Sequence, residues 1–286
     1  MQIGRAELLS ALAVQIVGLT LVARPHALRE VSVVTCTQSS CPKVLLRSTE
    51  RLPEASGVAR VERMGGTTVI EVEVDSMRPA SLFGGDYNTF VLWVVPPGGR
   101  AENIGELTLN GGQAVVRAKT SSTTFAILVT AEPHYLVSLP SAFVVLETKG
   151  DRNGQTLGLP VVEGVYNFSR STLANVRQAR GMVHSDVRQA FTAVRLAQRA
   201  GAASLAGEEL SQAQDALQKT VGLWRERADR NQITAQARET VRLAVAAQRL
   251  AQDRALQETR LEPEGLGGGR VEPVGRGARD GQNRWR

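Results

Sequence analysis

The sequence predicts two architectures in series: an antiparallel β-sandwich, for which an Ig-like arrangement is expected, followed by an antiparallel bundle of about three long helices. Three observations lead there. Between residues 30 and 148 the chain repeats a short run rich in Val, Ile, Thr and aromatics, each followed by a turn signal. After Ser169 the apolar positions recur at spacings of three and four instead. Composition shifts with the period, because most of the aromatic residues lie before residue 170 and the stretch beyond it is rich in Ala, Gln and Arg.

The β region contains the runs Val31–Cys36, Lys43–Arg47, Val58–Arg63, Thr67–Val74, Thr89–Val95, Glu106–Leu109, Ala114–Lys119, Thr124–Thr130 and Phe143–Thr148. In Thr67–Val74, Val69, Glu71 and Glu73 alternate with Ile70, Val72 and Val74, the period of a half-buried strand. Phe90–Val95 is apolar on both faces and belongs at the centre of the domain. Gly65-Gly66, Pro96-Pro97-Gly98-Gly99 and Asn110-Gly111-Gly112 supply hairpin chemistry between the runs. Eight or nine strands with no helix between them argue for an antiparallel sandwich. Strand order is not readable at this level.

In the helical region, Leu173, Val176, Val183, Val187, Ala190, Val194 and Ala197 mark one long amphipathic helix ending near Gly201. Leu210, Ala213, Leu217, Val221 and Trp224 mark a second, and Ile233, Ala237, Val241, Ala244, Ala251 and Ala255 a third. Alanine on these stripes permits close approach of the helices. The organisation read from the sequence is therefore a leader or anchor over 1–27, the sandwich over 28–150, a linker over 151–168, helices over 169–260 and a Gly/Arg-rich tail over 261–286, too poor in apolar residues to fold.

Leu8–Ala23 is uncharged, follows Arg5, and has the length of the apolar core of a signal peptide. Cleavage after Ala23, an uncleaved anchor and a buried helix are the three readings open to it; it is short for a full bilayer span. Export would place Cys36 and Cys41, the two cysteines, in an oxidising compartment, where the spacer Thr-Gln-Ser-Ser lets them staple a hairpin. So small a loop would contribute only about 2 kcal/mol. Two reduced thiols in a cytosolic chain is the competing reading, and a zinc site lacks a second Cys or His pair. Location is expected to be the periplasm, or the inner membrane with the chain facing the periplasm.

Segments Ser56–Val74 (SGVARVERMGGTTVIEVEV), Arg78–Leu107 (RPASLFGGDYNTFVLWVVPPGGRAENIGEL) and Thr123–Glu147 (TTFAILVTAEPHYLVSLPSAFVVLE) resemble an N-terminal domain of OmpA-family envelope proteins of the acidobacterial type. The likeness covers about residues 50–150. It combines a tyrosine-bearing loop, a tryptophan strand, an Ala-Glu-Asn turn and a Val-Thr-Ala-Glu-Pro-His element in order. Val187–Ala255 is similar to an Ala-rich helical domain of unknown function found in bacterial exported proteins and lipoproteins, through AVRLAQRAGA, GEELSQAQDAL and ETVRLAVAAQRLAQDRA. The resemblance implies architecture and an envelope location, not chemistry. The peptidoglycan-binding domain that usually ends OmpA-family proteins has no counterpart in the C-terminal sequence, so cell-wall anchoring by that module is not carried over.

Catalytic signatures are missing: no G-x-x-x-x-G-K-[ST] loop, H-E-x-x-H helix or G-x-S-x-G elbow occurs. His26, His134 and His184 are scattered, and no cofactor or metal is expected. His134 with Glu132 and Tyr135 frames a polar site or a structural turn, and Asp86, Glu102 and Glu106 are candidates for an acid pair only as any two carboxylates are. The expectation is a non-enzymatic envelope scaffold or binding module.

Residues 169–260 carry 15 Lys and Arg against 9 Asp and Glu, which accounts for the whole net charge of +6. Arg177, Arg188, Arg195 and Arg199 on the first helix, and Arg238, Arg242 and Arg249 on the third, could form anion-facing stripes. Alternatively their stems lie along Ala-rich faces with the heads hydrated. Tyr87 and Tyr135, with Phe83, are candidate interface anchors, with core burial as the competing reading. Partners in keeping with this are another envelope protein, an anionic cell-wall or lipid headgroup, or a second copy joined through the helices. Nucleic acid is the alternative partner, disfavoured by the lack of a compact basic cluster.

Overall fold

The computed structural model describes residues 26–36, 43–84, 86–98, 100–150, 154–162 and 184–261. The expected leader, Cys41, Arg177, the first part of the first helix and the C-terminal tail lie outside the described residues. A β domain is followed by helices, the α+β order that the sequence predicts.

The described residues form eleven strands: β1 (His26–Ser32), β2 (Val34–Thr35), β3 (Val44–Ser48), β4 (Ser56–Met64), β5 (Thr67–Asp75), β6 (Thr89–Val95), β7 (Glu102–Leu107), β8 (Ala114–Thr120), β9 (Thr124–Glu132), β10 (Val144–Thr148) and β11 (Thr156–Val162). One antiparallel sheet runs in the order β7-β6-β9-β10-β3-β4-β5-β8, with β2 beside β9. Its two ends, β7 and β8, come back beside each other, so the sheet is nearly closed. The two facing layers expected of a sandwich are here opposite sides of one curled sheet.

Its interior is filled by Ile70, Val72 and Val74 of β5, Phe90, Leu92 and Val94 of β6, and Phe125, Ile127 and Val129 of β9. Glu71 and Glu73 of β5 face outwards and share the guanidinium of Arg60, at 3.1 and 2.7 Å. The hairpin β4–β5 closes through Gly65 and Gly66 at φ 54° and 87°, values suited to the two-residue turn that matches strand twist.

Why β6 is apolar on both faces becomes clear from a second layer. Residues 156–162, read from the sequence as linker, form β11 and pair with β1 along its whole length. This two-stranded ribbon lies across the outside of the sheet, where Val31, Leu159 and Val161 cover Val91, Trp93 and Val95 of β6 and Ala126 and Leu128 of β9. Pro160 and Gly158 mask the strand in sequence, yet Leu157, Leu159 and Val161 alternate as a one-sided strand should. Glu147 on β10 is 4% exposed and binds Arg29 of β1 at 2.7 Å and Arg47 of β3 at 2.6 Å, tying ribbon to sheet.

Helices α1 (Ser185–Arg199), α2 (Ala202–Leu205), α3 (Gly207–Arg225) and α4 (Arg230–Leu261) follow. The 32 residues of α4 span about 48 Å at ~1.5 Å per residue. Its stripe Ala237, Val241, Ala244 and Ala251 is buried against Ala190, Ala193, Val194 and Ala197 of α1 and Leu210 and Ala213 of α3. No helix among the described residues is long and apolar enough to cross a membrane.

Candidate functional site

Polar residues gather where the helices meet the sheet domain. Asn88, just before β6, is the pivot. Its backbone N–H donates to the carbonyl of Glu132 at 2.9 Å, and its Nδ2 donates to the Pro133 carbonyl and to Thr192 Oγ1 of α1, both at 3.0 Å. Its own carbonyl accepts from Ser185 Oγ at 2.7 Å. One asparagine thus holds β9, the loop after it and α1.

Glu106 on β7 is the second anchor. Its Oε1 accepts from Thr89 Oγ1 at 2.6 Å and from Gln189 Nε2 at 2.7 Å, while Oε2 accepts from Arg238 Nη2 at 2.6 Å. The Arg238 guanidinium lies 4.8 Å from the centre of the Tyr135 ring, and Gln189 Oε1 accepts the Tyr135 backbone N–H at 2.9 Å. Asp186 Oδ2 accepts from Thr234 Oγ1 at 3.0 Å, joining α1 to α4. Hydrogen bonds running from both sides of the seam fix the relative position of its elements.

Next to the seam opens a cleft of about 660 Å³, within the roughly 300–1,000 Å³ usual for small-molecule sites. Its sheet-side wall is predominantly apolar, with Pro79, Ala80, Leu82, Phe90, Leu107 and Leu109. The opposite wall is the start of α1 and of α4, including His184, Asp186, Arg188, Arg230, Asn231, Thr234 and Arg238.

Three buried ionisable groups lie off the cleft. Asp86 is fully buried, and burial raises its carboxyl to about 6 against the opposing pull of Arg195 and Arg199; Arg195 Nη1 is 3.8 Å from Oδ1. Glu132, also fully buried, is pushed up to about 8 by burial, although the Ser141 N–H at 2.7 Å and Thr130 Oγ1 donate to its Oε1. Thr130 in turn accepts from Trp93 Nε1 at 2.8 Å. Burial lowers His134 to about 3, with Arg249 adding to the shift, so the imidazole is neutral. These three groups pack at the joint; no described trio of His, Cys, Asp or Glu is arranged to hold a metal ion.

Among the described residues, the arginines singled out in the sequence have different surroundings. Arg195 faces Asp86, Arg238 bonds Glu106, and Arg242 bonds Glu239 on the same helix. Arg188 lines the cleft, Arg249 lines a separate pocket of about 70 Å³ with His134, and Arg199 acts on Asp86 through its charge. For Arg195, Arg238 and Arg242, folding places a carboxylate of the chain itself within 4 Å. Tyr87 packs on Phe143 with ring centres 4.6 Å apart and sits against the core, next to Phe83. Tyr135 lies between the sheet domain and the helices, its backbone N–H bonded to Gln189 and its ring beside Arg238. Glu102 is not in the cleft wall, whereas Glu106 is. Cys36 is buried at 2% exposure; its expected partner lies outside the described residues.

Sequence reasoning missed Asn88, Thr89, Gln189, Thr192 and Arg230. One signal was available, because Gln189 and Thr192 interrupt the otherwise apolar buried face of α1, and a buried polar side chain implies a polar partner. No family model, curated protein or solved structure matches this chain.

Proposed function

We propose that this chain is a non-enzymatic binding module of the bacterial cell envelope, with its ligand site in the cleft between the curled sheet and the helices. The observation that carries the binding part is the seam beside the cleft: Glu106 receives Thr89, Gln189 and Arg238 together. That arrangement favours a pre-formed cavity, since both walls are fixed by hydrogen bonds before any ligand arrives. It also speaks against proton transfer. The cleft's two carboxylates, Glu106 and Asp186, are engaged by Arg238 and Thr234 and serve as struts.

The envelope part rests on the sequence: the apolar leader, the Cys36–Cys41 spacing and the OmpA-type resemblance over residues 50–150. Arginines that already have carboxylate partners are poor material for a phosphate-tracking surface, which weakens the nucleic-acid alternative. Fractionation of the native host with intact-mass measurement tests the location. Recovery from the periplasmic or membrane fraction, with the mass of a Cys36–Cys41 disulfide, is expected. A cytosolic chain that keeps Met1 and two thiols would sink it. Turnover of cell-wall material that disappears in Glu132→Ala or His134→Ala would overturn the non-catalytic half.

A further inference from the structure

We infer that a second, smaller site, between the loop after β9 and helices α1 and α4, binds a short aliphatic carboxylate of about the size of propionate. It shares no lining residue with the cleft and stands whether or not the cleft takes a ligand. His134 in the loop is what points to it. The backbone is pinned on both sides of this residue, because the Pro133 carbonyl accepts from Asn88 Nδ2 at 3.0 Å and the Tyr135 N–H donates to Gln189 Oε1 at 2.9 Å. The imidazole so held is 3% exposed, and its Nδ1 has no hydrogen-bond partner among the described residues. A neutral imidazole carries one N–H donor and one acceptor, and leaving either unmet in the interior costs free energy. The ring is also part of the wall of the pocket of about 70 Å³. A ligand there meets a side chain that the fold has positioned and not used.

The rest of the wall selects the ligand. Val245, Gln248, Arg249 and Gln252 recur at spacings of three and four, so they share one face of α4. They bring one guanidinium and two amide groups to the pocket, and no carboxylate of the described residues lines it. A cation would meet the Arg249 charge with nothing to offset it, whereas a carboxylate suits a guanidinium and N–H donors. The charge of Arg249 already reaches His134, where it adds to the burial that keeps the imidazole neutral. One small anion between the two would answer both. Leu139, Leu196 and Val245 supply an apolar side, which an alkyl stub covers and inorganic phosphate does not. Volume limits the stub: about 70 Å³, at the ~15 Å³ that one water needs, gives roughly five such positions, the bulk of propionate or butyrate.

The test is nuclear magnetic resonance of the full chain with isotope-labelled histidine, at neutral pH and constant ionic strength, with the His134 signal assigned through His134→Gln. The ligands are acetate, propionate, butyrate, hexanoate, propionamide, propylammonium and inorganic phosphate, each titrated into the millimolar range. Propionate and butyrate are expected to shift the His134 ring nitrogens saturably, with hexanoate binding no more tightly than butyrate. Propionamide and propylammonium should bind on the order of tenfold more weakly than propionate, or less. Arg249→Gln should weaken propionate on the order of tenfold, while Arg260→Gln, which removes the same charge from the far end of α4, should leave it unchanged. Both arginines are exposed, so neither variant should move the unfolding midpoint. No saturable shift at His134, an unchanged affinity in Arg249→Gln, or propionamide or propylammonium binding as tightly as propionate would each overturn the inference. Phosphate binding more tightly than propionate would overturn the carboxylate, and affinity that keeps rising to hexanoate would overturn the limit on size. The host fractionation decides the envelope location independently of all these outcomes.

Discussion

Glu132 and His134 stand two residues apart, both fully buried, and burial moves them in opposite directions. For Glu132 the folded carboxyl titrates near 8, well above its ordinary 4.5. The folded state therefore holds a proton that the unfolded chain releases, and the stability contributed by neutral Glu132 is full below about 4.5 and lost as pH rises through 8. Glu132→Gln keeps an oxygen for Ser141 and Thr130 and cannot ionise. Its unfolding free energy, followed by urea titration from pH 5 to pH 9, should decline less than that of the wild type. For His134 the folded imidazole titrates near 3 against 6.5. Its contribution is full above 6.5 and lost as pH falls towards 3, so His134→Gln should flatten the acid limb in the same titration. The sequence singled out Glu132 and His134 together as a polar site or a structural turn, but not that both are buried. Thr130 shares strand β9 with Glu132, but Ser141, which also donates to Glu132, and Trp93, which donates to Thr130, come from elements that folding brings beside it.

Among the elements, α4 depends on alanine, and its stripe was legible because a period of three and four is a local property. Ala244 is fully buried among the facing helices. Ala244→Leu should cost about 1–3 kcal/mol through overpacking, read as a lower urea midpoint with an unchanged slope. The seam between elements is of another kind. A double-mutant cycle of Glu106→Gln and Arg238→Ala should return a coupling of about 1–3 kcal/mol, and additive single effects would show that the pair is idle. Among the strands, β6 announced itself by its apolar run. β11 did not, because Gly158 and Pro160 break its pattern and its partner β1 lies more than a hundred residues earlier.

At the level of the whole molecule, Asn88, Glu106 and Tyr135 join sheet and helices through buried contacts, so the two parts should unfold together. Amide hydrogen exchange is expected to give the cores of β6, β9 and α4 one common opening free energy, and the Asn88→Ala, Arg238→Ala double variant should separate them. Much of this architecture was written in the chain. Alternation, helical spacing and turn residues act over a few residues, so they determined most of the strands, most of the helices and the order of the two parts. What only the tertiary structure decided was the closure of the sheet, the ribbon across its outer face and the partners of the arginines. Arg238 and Glu106 are separated by 132 positions. Whether a charged side chain serves an outside ligand or the chain's own carboxylate depends on which groups folding brings within a few ångströms, and local pattern carries no record of that.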